Sequence, residues 1–272
     1  QVEMKIASIA MYCNSPILRE ATHRLWAYIR DALVASGVTD IPEKLDWTNH
    51  YESPWLRKDL VLAQTCGYPY VRKLRGHVRL IATPEYTHQG CEGPAMCSLV
   101  VVHKSAPFHD IIDLKGSRAA INHPESNSGA NLFRALVAPY AAREPFFSSV
   151  IETGSHDASI TAVARGLADV AAIDCITFGN IARFNQDFLK DVRVVVETPK
   201  GPGLPFITRP DASDAEVSLI REILRSALNE RLMANTIDAL SIGGFHFLDD
   251  QDYEQLSDFE RDASLLGYPN LC

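Results

Sequence analysis

Short apolar runs alternate with amphipathic helices along this chain, and this alternation constrains the fold more than any other feature of the sequence. The apolar runs at residues 60–63, 78–82, 99–102 and 169–174 have the length of buried strands. Turn signals or helical patterns separate them from one another. This alternation predicts an α/β fold, in which sheets are covered by helices.

The first helix has the clearest boundaries. Ser15 can cap its start, and Pro16 suits the first turn, where no backbone N–H donor is needed. Apolar residues then recur every three to four positions from Leu18 to Leu33 on one face, and Gly37 is a typical helix end. We therefore predict a helix from residue 16 to about residue 36.

Three later helices are predicted from different signals. Ser213 and Glu216 have the spacing of a capping box, in which each side chain satisfies the other residue's backbone N–H. Earlier in the chain, residues 130–137 have a helical pattern, and Pro139 is expected to end this helix. Residues 249–265 are predicted to form an acidic helix.

Composition and charge exclude several kinds of protein. The chain has 272 residues, of which 46% are hydrophobic and 22% charged, as in globular proteins of one large or two ordinary domains. No apolar run approaches the roughly 18 residues of a membrane span, so no membrane insertion is expected. The net charge of −8 argues against a nucleic-acid partner, because phosphate backbones require clustered Lys and Arg.

The start of the sequence leaves the compartment open. No basic and then apolar leader precedes the first predicted strand, so any signal peptide is absent or already removed.

The cysteines do not form a recognisable scaffold. The chain has six cysteines, too few for a disulfide scaffold in a protein of this length: Cys13, Cys66, Cys91, Cys97, Cys175 and Cys272. His88, Cys91 and Cys97 lie close in sequence, but their spacing matches no structural zinc pattern, and no metal or cofactor is predicted. We interpret the thiols as buried, with Cys66 and Cys91 as the candidate pair for a single disulfide.

The most informative polar stretch is the loop at residues 122–129, which opens a predicted helix. Ser126, Asn127 and Ser128 supply two hydroxyls and an amide there, followed by Gly129. Unpaired N–H groups and the positive end of the helix dipole can bind a tetrahedral oxyanion without Lys or Arg. Serines that only cap their own helix would give the same pattern, and the sequence leaves both interpretations open.

Three further groups of polar residues follow predicted strands, where ligands gather in open α/β sheets. His156 begins a helical pattern and could donate a hydrogen bond to an anion and titrate near neutrality, or be structural. Asp174 ends an apolar run and either faces a cleft or caps the next element. A tight turn follows the run at 60–63 and contains Thr65, Cys66, Gly67 and Tyr68.

Four motifs occur in order between residues 114 and 174: Leu114-Lys115-Gly116, Ser126-Asn127-Ser128-Gly129, Thr153-Gly154-Ser155-His156, and the segment from Ala164 to Asp174. At this spacing the sequence resembles the phosphate-, phosphite- and phosphonate-binding proteins of ABC importers. These proteins have the type II periplasmic-binding-protein fold. The match is densest over residues 99–210.

The resemblance implies two α/β lobes joined by two crossover segments, with the ligand cleft between the lobes. The crossings are expected near residues 98–103 and 195–206. Residues 1–98 together with 206–272 would then form the first, discontinuous lobe, and residues 99–205 the second lobe with its hinge segments.

The resemblance also implies roles for individual residues. Ser126, Asn127 and Ser128 would hold the phosphorus oxyanion together with His156, while Tyr12 and the turn at 65–68 would contact it from the first lobe. The full set of expected ligand-binding residues is Tyr12, Thr65, Cys66, Gly67, Tyr68, Ser126, Asn127, Ser128, Gly129, His156 and Asp174.

Two positions depart from the family pattern. Asn127 stands where Thr is usual, which keeps a donor but changes its shape. Leu204 stands where binders of aminoalkylphosphonates have an Asp, which argues against a ligand with an amino tail.

The sequence thus predicts a solute-binding protein, without catalytic residues, that captures a small oxyanion and delivers it to an ABC transporter permease by hinge closure. Such a protein works in the periplasm or another extracytoplasmic space. One alternative is an enzyme on the same fold, of the thiaminase or pyrimidine-synthase kind, with Cys66 or His156 as the activated group. The other alternative is a ferric-ion binder, whose ligands would be Tyr68, Tyr86, His156 and Asp174.

Overall fold

The computed structural model describes residues 5–48, 50 and 52–272, and the chain divides into two compact units. Unit 1 comprises Gln1–Thr87 and Gly203–Asp250, and unit 2 comprises His88–Pro202 and Gln251–Cys272. Residues 1–4 of the expected first lobe lie outside the described residues.

Strands and helices alternate along most of the chain, as an α/β fold requires. The strands are β1 (Ile6–Ser8), β2 (Leu60–Gln64), β3 (Arg79–Tyr86), β4 (Ala95–Met96), β5 (Ser98–His103), β6 (Arg118–Ile121), β7 (Ser149–Glu152), β8 (Val170–Asp174), β9 (Val192–Glu197), β10 (Gly201–Pro202), β11 (Phe206–Thr208) and β12 (Ile242–His246). The α-helices are α1 (Pro16–Ala35), α2 (Gly67–Pro69), α3 (Leu132–Ala141), α4 (His156–Ala164), α5 (Cys175–Phe184), α6 (Asp214–Asn229), α7 (Ala234–Ala239) and α8 (Asp250–Leu265).

Unit 1 is built on a five-stranded sheet in the order β1-β2-β11-β3-β12. The strands β1 and β2 are parallel, whereas β11 pairs antiparallel with both β2 and β3. The apolar face of α1 is buried, with Trp26 and Ile29 almost fully excluded from solvent. Because β1 and β2 run the same way, the residues that follow them lie at one edge of the sheet.

Unit 2 contains a second five-stranded sheet in the order β7-β6-β8-β5-β9. The strand β6 runs parallel to its neighbours β7 and β8, whereas β5 is antiparallel to β8 and β9. Three predicted groups of site residues follow β6, β7 and β8. Their common direction therefore places these groups at the same edge of the sheet.

Most of the predicted elements are confirmed. The helix predicted from residue 16 is α1, capped by Ser15, and the capping box of Ser213 and Glu216 begins α6. The acidic helix is α8.

The prediction that Pro139 ends its helix is wrong, because α3 continues through Pro139 to Ala141. Proline removes one helical N–H and crowds the preceding turn. Here the last turn is retained while Ala138 and Ala141 pack into the core of unit 2.

The division into units differs from the expected lobes. The chain passes between units at 87/88, 202/203 and 250/251, which makes three passages where the sequence predicted two. Residues 251–272 were expected in the first lobe, but they belong to unit 2 because Ala263 and Tyr268 pack into its core. The passage at 202/203 lies within the expected crossing at 195–206, whereas the expected crossing at 98–103 is β5, which pairs with β8 and β9 in the sheet of unit 2.

Within the described residues, no helix is both long enough and apolar enough to cross a membrane.

Candidate functional site

The loop after β6 forms a tight helix start. The Oγ atom of Ser126 accepts a hydrogen bond from the Gly129 N–H at 3.0 Å, so Ser126 caps a π-helical turn, Asn127–Asn131, that leads into α3. A Cβ atom on Gly129 would lie 1.8 Å from Asn122 Oδ1, so only glycine fits at this position. For Ser126, the capping interpretation of the sequence is therefore correct.

Ser128 has a different environment. Its Oγ atom lies 2.9 Å from His156 Nε2 and 3.5 Å from Ser126 Oγ. Its carbonyl oxygen accepts a hydrogen bond of 2.6 Å from the Ser98 hydroxyl, which ties the loop to the start of β5. The Ser128 hydroxyl is thus held among other polar groups and does not cap the helix.

His156 is the first residue of α4, the helix that follows β7, and Ser155 caps that helix through a 3.1 Å bond from the Ala158 N–H. The side chain keeps a small exposed fraction, but surrounding protein groups desolvate the ring. This desolvation lowers the pKa of His156 to about 4, so the imidazole is neutral at pH 7. The sequence allowed titration near neutrality, and the desolvation of the ring opposes it.

Two polar atoms of this cluster have no hydrogen-bond partner among the described residues. They are Asn122 Oδ1 and His156 Nδ1, both buried. The amide nitrogen of Asn122 lies 3.5 Å from His156 Nε2, so the two side chains are neighbours. Unpaired buried polar groups are uncommon in folded proteins, and two at one place point to a functional site.

A buried chain of side chains fixes Asn127. The Nδ2 atom of Asn131 donates to Asn127 Oδ1 at 3.1 Å and to the Leu256 carbonyl at 3.1 Å. The Arg134 guanidinium donates to Asn131 Oδ1 at 2.6 Å, which sets the orientation of the Asn131 amide. Because its oxygen accepts from Asn131, the Asn127 amide is oriented with its Nδ2 group towards Met96 Sδ, at 4.0 Å, and that weak acceptor leaves the N–H donors available to a ligand.

Sequence reasoning missed Asn131 and Arg134. Both residues lie at or near the start of a predicted amphipathic helix, where polar side chains are ordinarily solvent-exposed. The structure buries both. An Asn and an Arg three positions apart at a helix start carry no signal that would have separated them from surface residues.

Asp174 serves as the N-cap of α5. Its Oδ1 atom accepts hydrogen bonds from the N–H groups of Ile176 at 2.8 Å and Thr177 at 3.0 Å. Of the two roles that the sequence left open, the structure gives the capping role. A carboxylate beside a bound oxyanion would also repel it.

The predicted residues of unit 1 follow the two parallel strands β1 and β2. Tyr12 is buried, with its ring edge-on to Tyr86 at a centroid distance of 5.3 Å. Gln64 donates to the Tyr86 hydroxyl at 3.0 Å, which connects the ends of the strands. This group of side chains therefore lies at the carboxyl edge of the unit 1 sheet.

The turn after β2 is held by its backbone. The Thr65 N–H donates to the Pro205 carbonyl at 3.1 Å, and the Tyr70 N–H donates to the Cys66 carbonyl at 3.2 Å. Gly67 and Tyr68 are buried in α2, and the guanidinium of Arg72 lies 5.5 Å from the Tyr68 ring centre.

The metal alternatives find no support in the described residues. No three His, Cys, Asp or Glu side chains among them are arranged to hold a metal ion. His88, which the sequence placed near two cysteines, instead contacts Asn180 Oδ1 through Nε2 at 2.8 Å.

All six cysteines lie in the part of the chain that the structure describes, and none of them forms a disulfide there. The expected pairing of Cys66 with Cys91 is therefore wrong. The Sγ atom of Cys91 lies 3.5 Å from that of Cys175.

Comparisons with known proteins identify the family and the fold. Residues 56–253 match the family described as ABC transporter, phosphonate, periplasmic substrate-binding protein. No curated protein sequence matches the chain.

Solved structures with the same fold are distant in sequence. PhnD1 from Prochlorococcus marinus, solved in complex with methylphosphonate, is 16% identical with a TM-score of 0.72, over 96% of this chain and 98% of that one. A binding protein component of an ABC phosphonate transporter from Pseudomonas aeruginosa is 16% identical with a TM-score of 0.74, over 97% and 88%. A Xanthomonas citri protein bound to ATP is 16% identical with a TM-score of 0.70, over 97% and 98%.

The family match covers well over half of the chain, and these neighbours share its type II periplasmic-binding-protein fold. The family is a ligand-binding component of transporters and not an enzyme family, so neither the enzyme alternative nor the iron-binding alternative is favoured. The chain belongs to the family of phosphonate-type periplasmic substrate-binding proteins of ABC transporters.

Proposed function

We propose that this protein captures a small phosphorus oxyanion, of the alkylphosphonate, phosphite or phosphate type, at the cluster formed by Asn127, Ser128, Gly129 and His156. The observation that carries the proposal is the contact of 2.9 Å between Ser128 Oγ and His156 Nε2. This contact brings together two helix starts that follow neighbouring parallel strands.

The chemistry of the cluster suits an anion. The backbone N–H groups at both helix starts and the partial positive charge of the helix dipoles favour negative charge. In the 2.9 Å contact one of the two groups, the neutral imidazole or the Ser128 hydroxyl, donates to the other, so the pair offers one free donor to an anion. The N–H groups of the Asn127 amide add further uncharged donors. A phosphonate or phosphate group can accept several such bonds from different directions.

Further proposed ligand contacts, carried over from the family resemblance, are Tyr12 and the turn that contains Thr65, Cys66, Gly67 and Tyr68. Leu204 is buried in unit 1, and its carbonyl accepts from Gln64. A leucine here offers no carboxylate to an ammonium group, so a ligand with an amino tail is disfavoured. We leave Asp174 out of the proposed contacts because it caps α5.

In this function the protein works in the periplasm or an equivalent extracytoplasmic space. In hinge closure, contacts to the bound ligand favour the closed form. An ABC permease would then receive the anion from that form.

Isothermal titration calorimetry tests the proposal with methylphosphonate, phosphite, phosphate, 2-aminoethylphosphonate, methanesulfonate and ATP. We expect binding to at least one of the first three compounds and weaker binding of 2-aminoethylphosphonate. A hydrogen bond to a charged ligand contributes about 1.5–3 kcal/mol. Ser128→Ala and His156→Ala should therefore each weaken binding of that compound by roughly ten- to a hundredfold.

Ser226→Ala is the matched control, because Ser226 is exposed on α6 in unit 1. It should leave the affinity unchanged. If a tight phosphorus ligand is found and neither site variant changes its affinity by about threefold, a threshold of only about 0.7 kcal/mol, the proposed site is wrong. Tight binding of ATP alone would show that the ligand class is wrong.

A further inference from the structure

Three cysteines of unit 2 lie together: Cys91, Cys97 and Cys175. The Sγ atoms of Cys91 and Cys175 are 3.5 Å apart. Cys97 directly precedes β5 and Cys175 directly follows β8, and the pairing of these strands places Ser98 opposite Asp174. Cys97 and Cys175 therefore face each other at the next register position, where the Cys175 N–H donates to the Cys97 carbonyl at 3.1 Å.

A glycine lets the chain segment with Cys91 pack directly on the other two cysteines. Gly90 has a φ angle of +91°, which L-residues with side chains rarely adopt. A Cβ atom on Gly90 would lie 2.8 Å from Cys97 Sγ and 3.0 Å from Cys175 Cβ. The close packing of this turn holds Cys91 beside Cys175.

The three thiols differ in their access to solvent. Cys97 and Cys175 are fully buried, whereas Cys91 is partly exposed. Hydrogen bonding to Cys175, together with burial, raises the pKa of Cys97. Hydrogen bonding to Cys91, together with burial, raises the pKa of Cys175. An external reagent therefore meets Cys91 first, and the two buried cysteines are poor nucleophiles towards molecules in solution.

We propose that Cys91 and Cys175 form a redox modification site that reacts with small disulfides of the glutathione type, while Cys97 remains a thiol. The Cys91 thiolate attacks the disulfide RSSR, which forms a Cys91–S–S–R bond and releases RS⁻. The Cys175 sulfur then attacks Cys91 Sγ while its proton passes to the departing sulfur, so that the second R group leaves as RSH, and the first RS⁻ takes up the proton that Cys91 gave to solvent. In the balanced reaction the two protein thiols lose two electrons and two protons, and one RSSR becomes two RSH.

The bond would connect residues 84 positions apart in the sequence, both of them in unit 2. Closing a loop of this length restricts the unfolded chain and so stabilises the folded one. We expect the oxidised protein to melt about 5–10 °C above the reduced protein, from the usual size of disulfide stabilisation in a chain of this length.

The test begins with fully reduced, full-length protein, which is incubated with glutathione disulfide as the probe. Remaining thiols are then alkylated under denaturing conditions, and the peptides are mapped by mass spectrometry. We expect a disulfide-linked pair of peptides containing Cys91 and Cys175, with Cys97 alkylated. A stable glutathione adduct on Cys91, a bond from Cys97 to either partner, or alkylation of both Cys91 and Cys175 would overturn the proposal.

Two variants separate the steps. In Cys175→Ala the reaction should stop at the glutathione adduct on Cys91, and in Cys91→Ser neither buried cysteine should react. Cys13→Ser is the matched control, because Cys13 is a partly exposed cysteine of unit 1 outside the proposed anion site. It should leave the Cys91–Cys175 bond and its thermal shift intact. If Cys175→Ala does not fold, the Cys91→Ser variant still decides the result, since reaction of Cys97 or Cys175 in it contradicts the proposed entry through Cys91.

Discussion

At the scale of single residues, His156 gives the protein a defined dependence on pH. Its pKa is lowered from 6.5 to about 4 by desolvation, so the unfolded chain binds a proton at a higher pH than the folded protein does. The contribution of His156 to stability is therefore complete above pH 6.5 and is lost as the pH falls towards 4. Because the ring is partly exposed, we expect a loss of about 2 kcal/mol, less than the full shift would give.

Chemical denaturation between pH 4 and pH 7 measures this effect. His156→Gln keeps a donor near Ser128 but does not titrate, so its stability should fall less over this range. His123→Gln is the control, because the His123 side chain is about half exposed in the same unit. Equal pH dependence in His156→Gln and in the unaltered protein would contradict the assignment.

The orientation of the Asn127 amide depends on Asn131. In Asn131→Asp, the carboxylate can still accept from Arg134 but can no longer donate to Asn127 Oδ1 or to the Leu256 carbonyl. The Asn127 amide should then turn its N–H donors towards residue 131 and present its oxygen to the anion. We expect the affinity for the phosphorus ligand to fall at least about tenfold, the effect of roughly one hydrogen bond to a charged group, with the fold intact.

A double-mutant cycle identifies the cause of this loss. If Asn131 acts through Asn127, then Asn131→Asp should cost little further affinity in an Asn127→Ala background. Additive losses in calorimetry would instead assign Asn131 a separate effect on the site. The melting temperature of each variant shows whether the fold is retained.

At the scale of elements, the buried face of α6 illustrates how much stability one core side chain contributes. Leu224 is fully buried in this helix. Leu224→Ala should cost about 2–5 kcal/mol, because it removes buried apolar surface and leaves a cavity. Ser226→Ala, on the exposed face of α6, should stay within about 0.5 kcal/mol of the unaltered protein in urea denaturation. A Leu224→Ala loss below 1 kcal/mol would contradict the packing described here.

Elements with strong local signals could be predicted from the sequence. The serine caps of α1 and α6 and the unbroken apolar run of β8 act within a few residues, so their bounds are predicted closely. The course of α3 through Pro139 could not be predicted, because packing in the core outweighs the local penalty of proline. The role of Asp174 could not be predicted either, because a carboxylate at the end of a strand can cap the next helix or face a cleft. The structure shows that it caps α5.

The candidate site was partly predictable, because some of its residues carry local signals in the sequence. The Ser126 loop and His156 each follow a strand, and the rule that ligands gather at strand ends indicated both. Asn131 and Arg134 act through contacts with residues far away in the sequence, such as Leu256. A single sequence gives no information on such contacts.

At the scale of the whole molecule, the assignment of residues 251–272 to unit 2 is the largest difference from the sequence prediction. The family resemblance implied the first lobe for these residues, but tertiary packing places them in unit 2. Tyr268 lies in the core cluster with Phe146, and the Cys272 carbonyl accepts from the Phe146 and Phe147 N–H groups at 2.8 and 3.0 Å. The segment thus completes the unit that carries the proposed anion site.

Tyr268→Ala tests this assignment. Loss of a buried aromatic side chain should cost about 3–5 kcal/mol, and the cost should fall on unit 2. Hydrogen exchange should therefore accelerate in β6 and α3, because local opening is measured in the unit that has lost its packing. Tyr140→Ala is the matched control, since Tyr140 is a 43% exposed tyrosine of the same unit. If β2 of unit 1 loses protection as much as β6 does, or if neither strand changes, residues 251–272 do not stabilise unit 2 in the way described here.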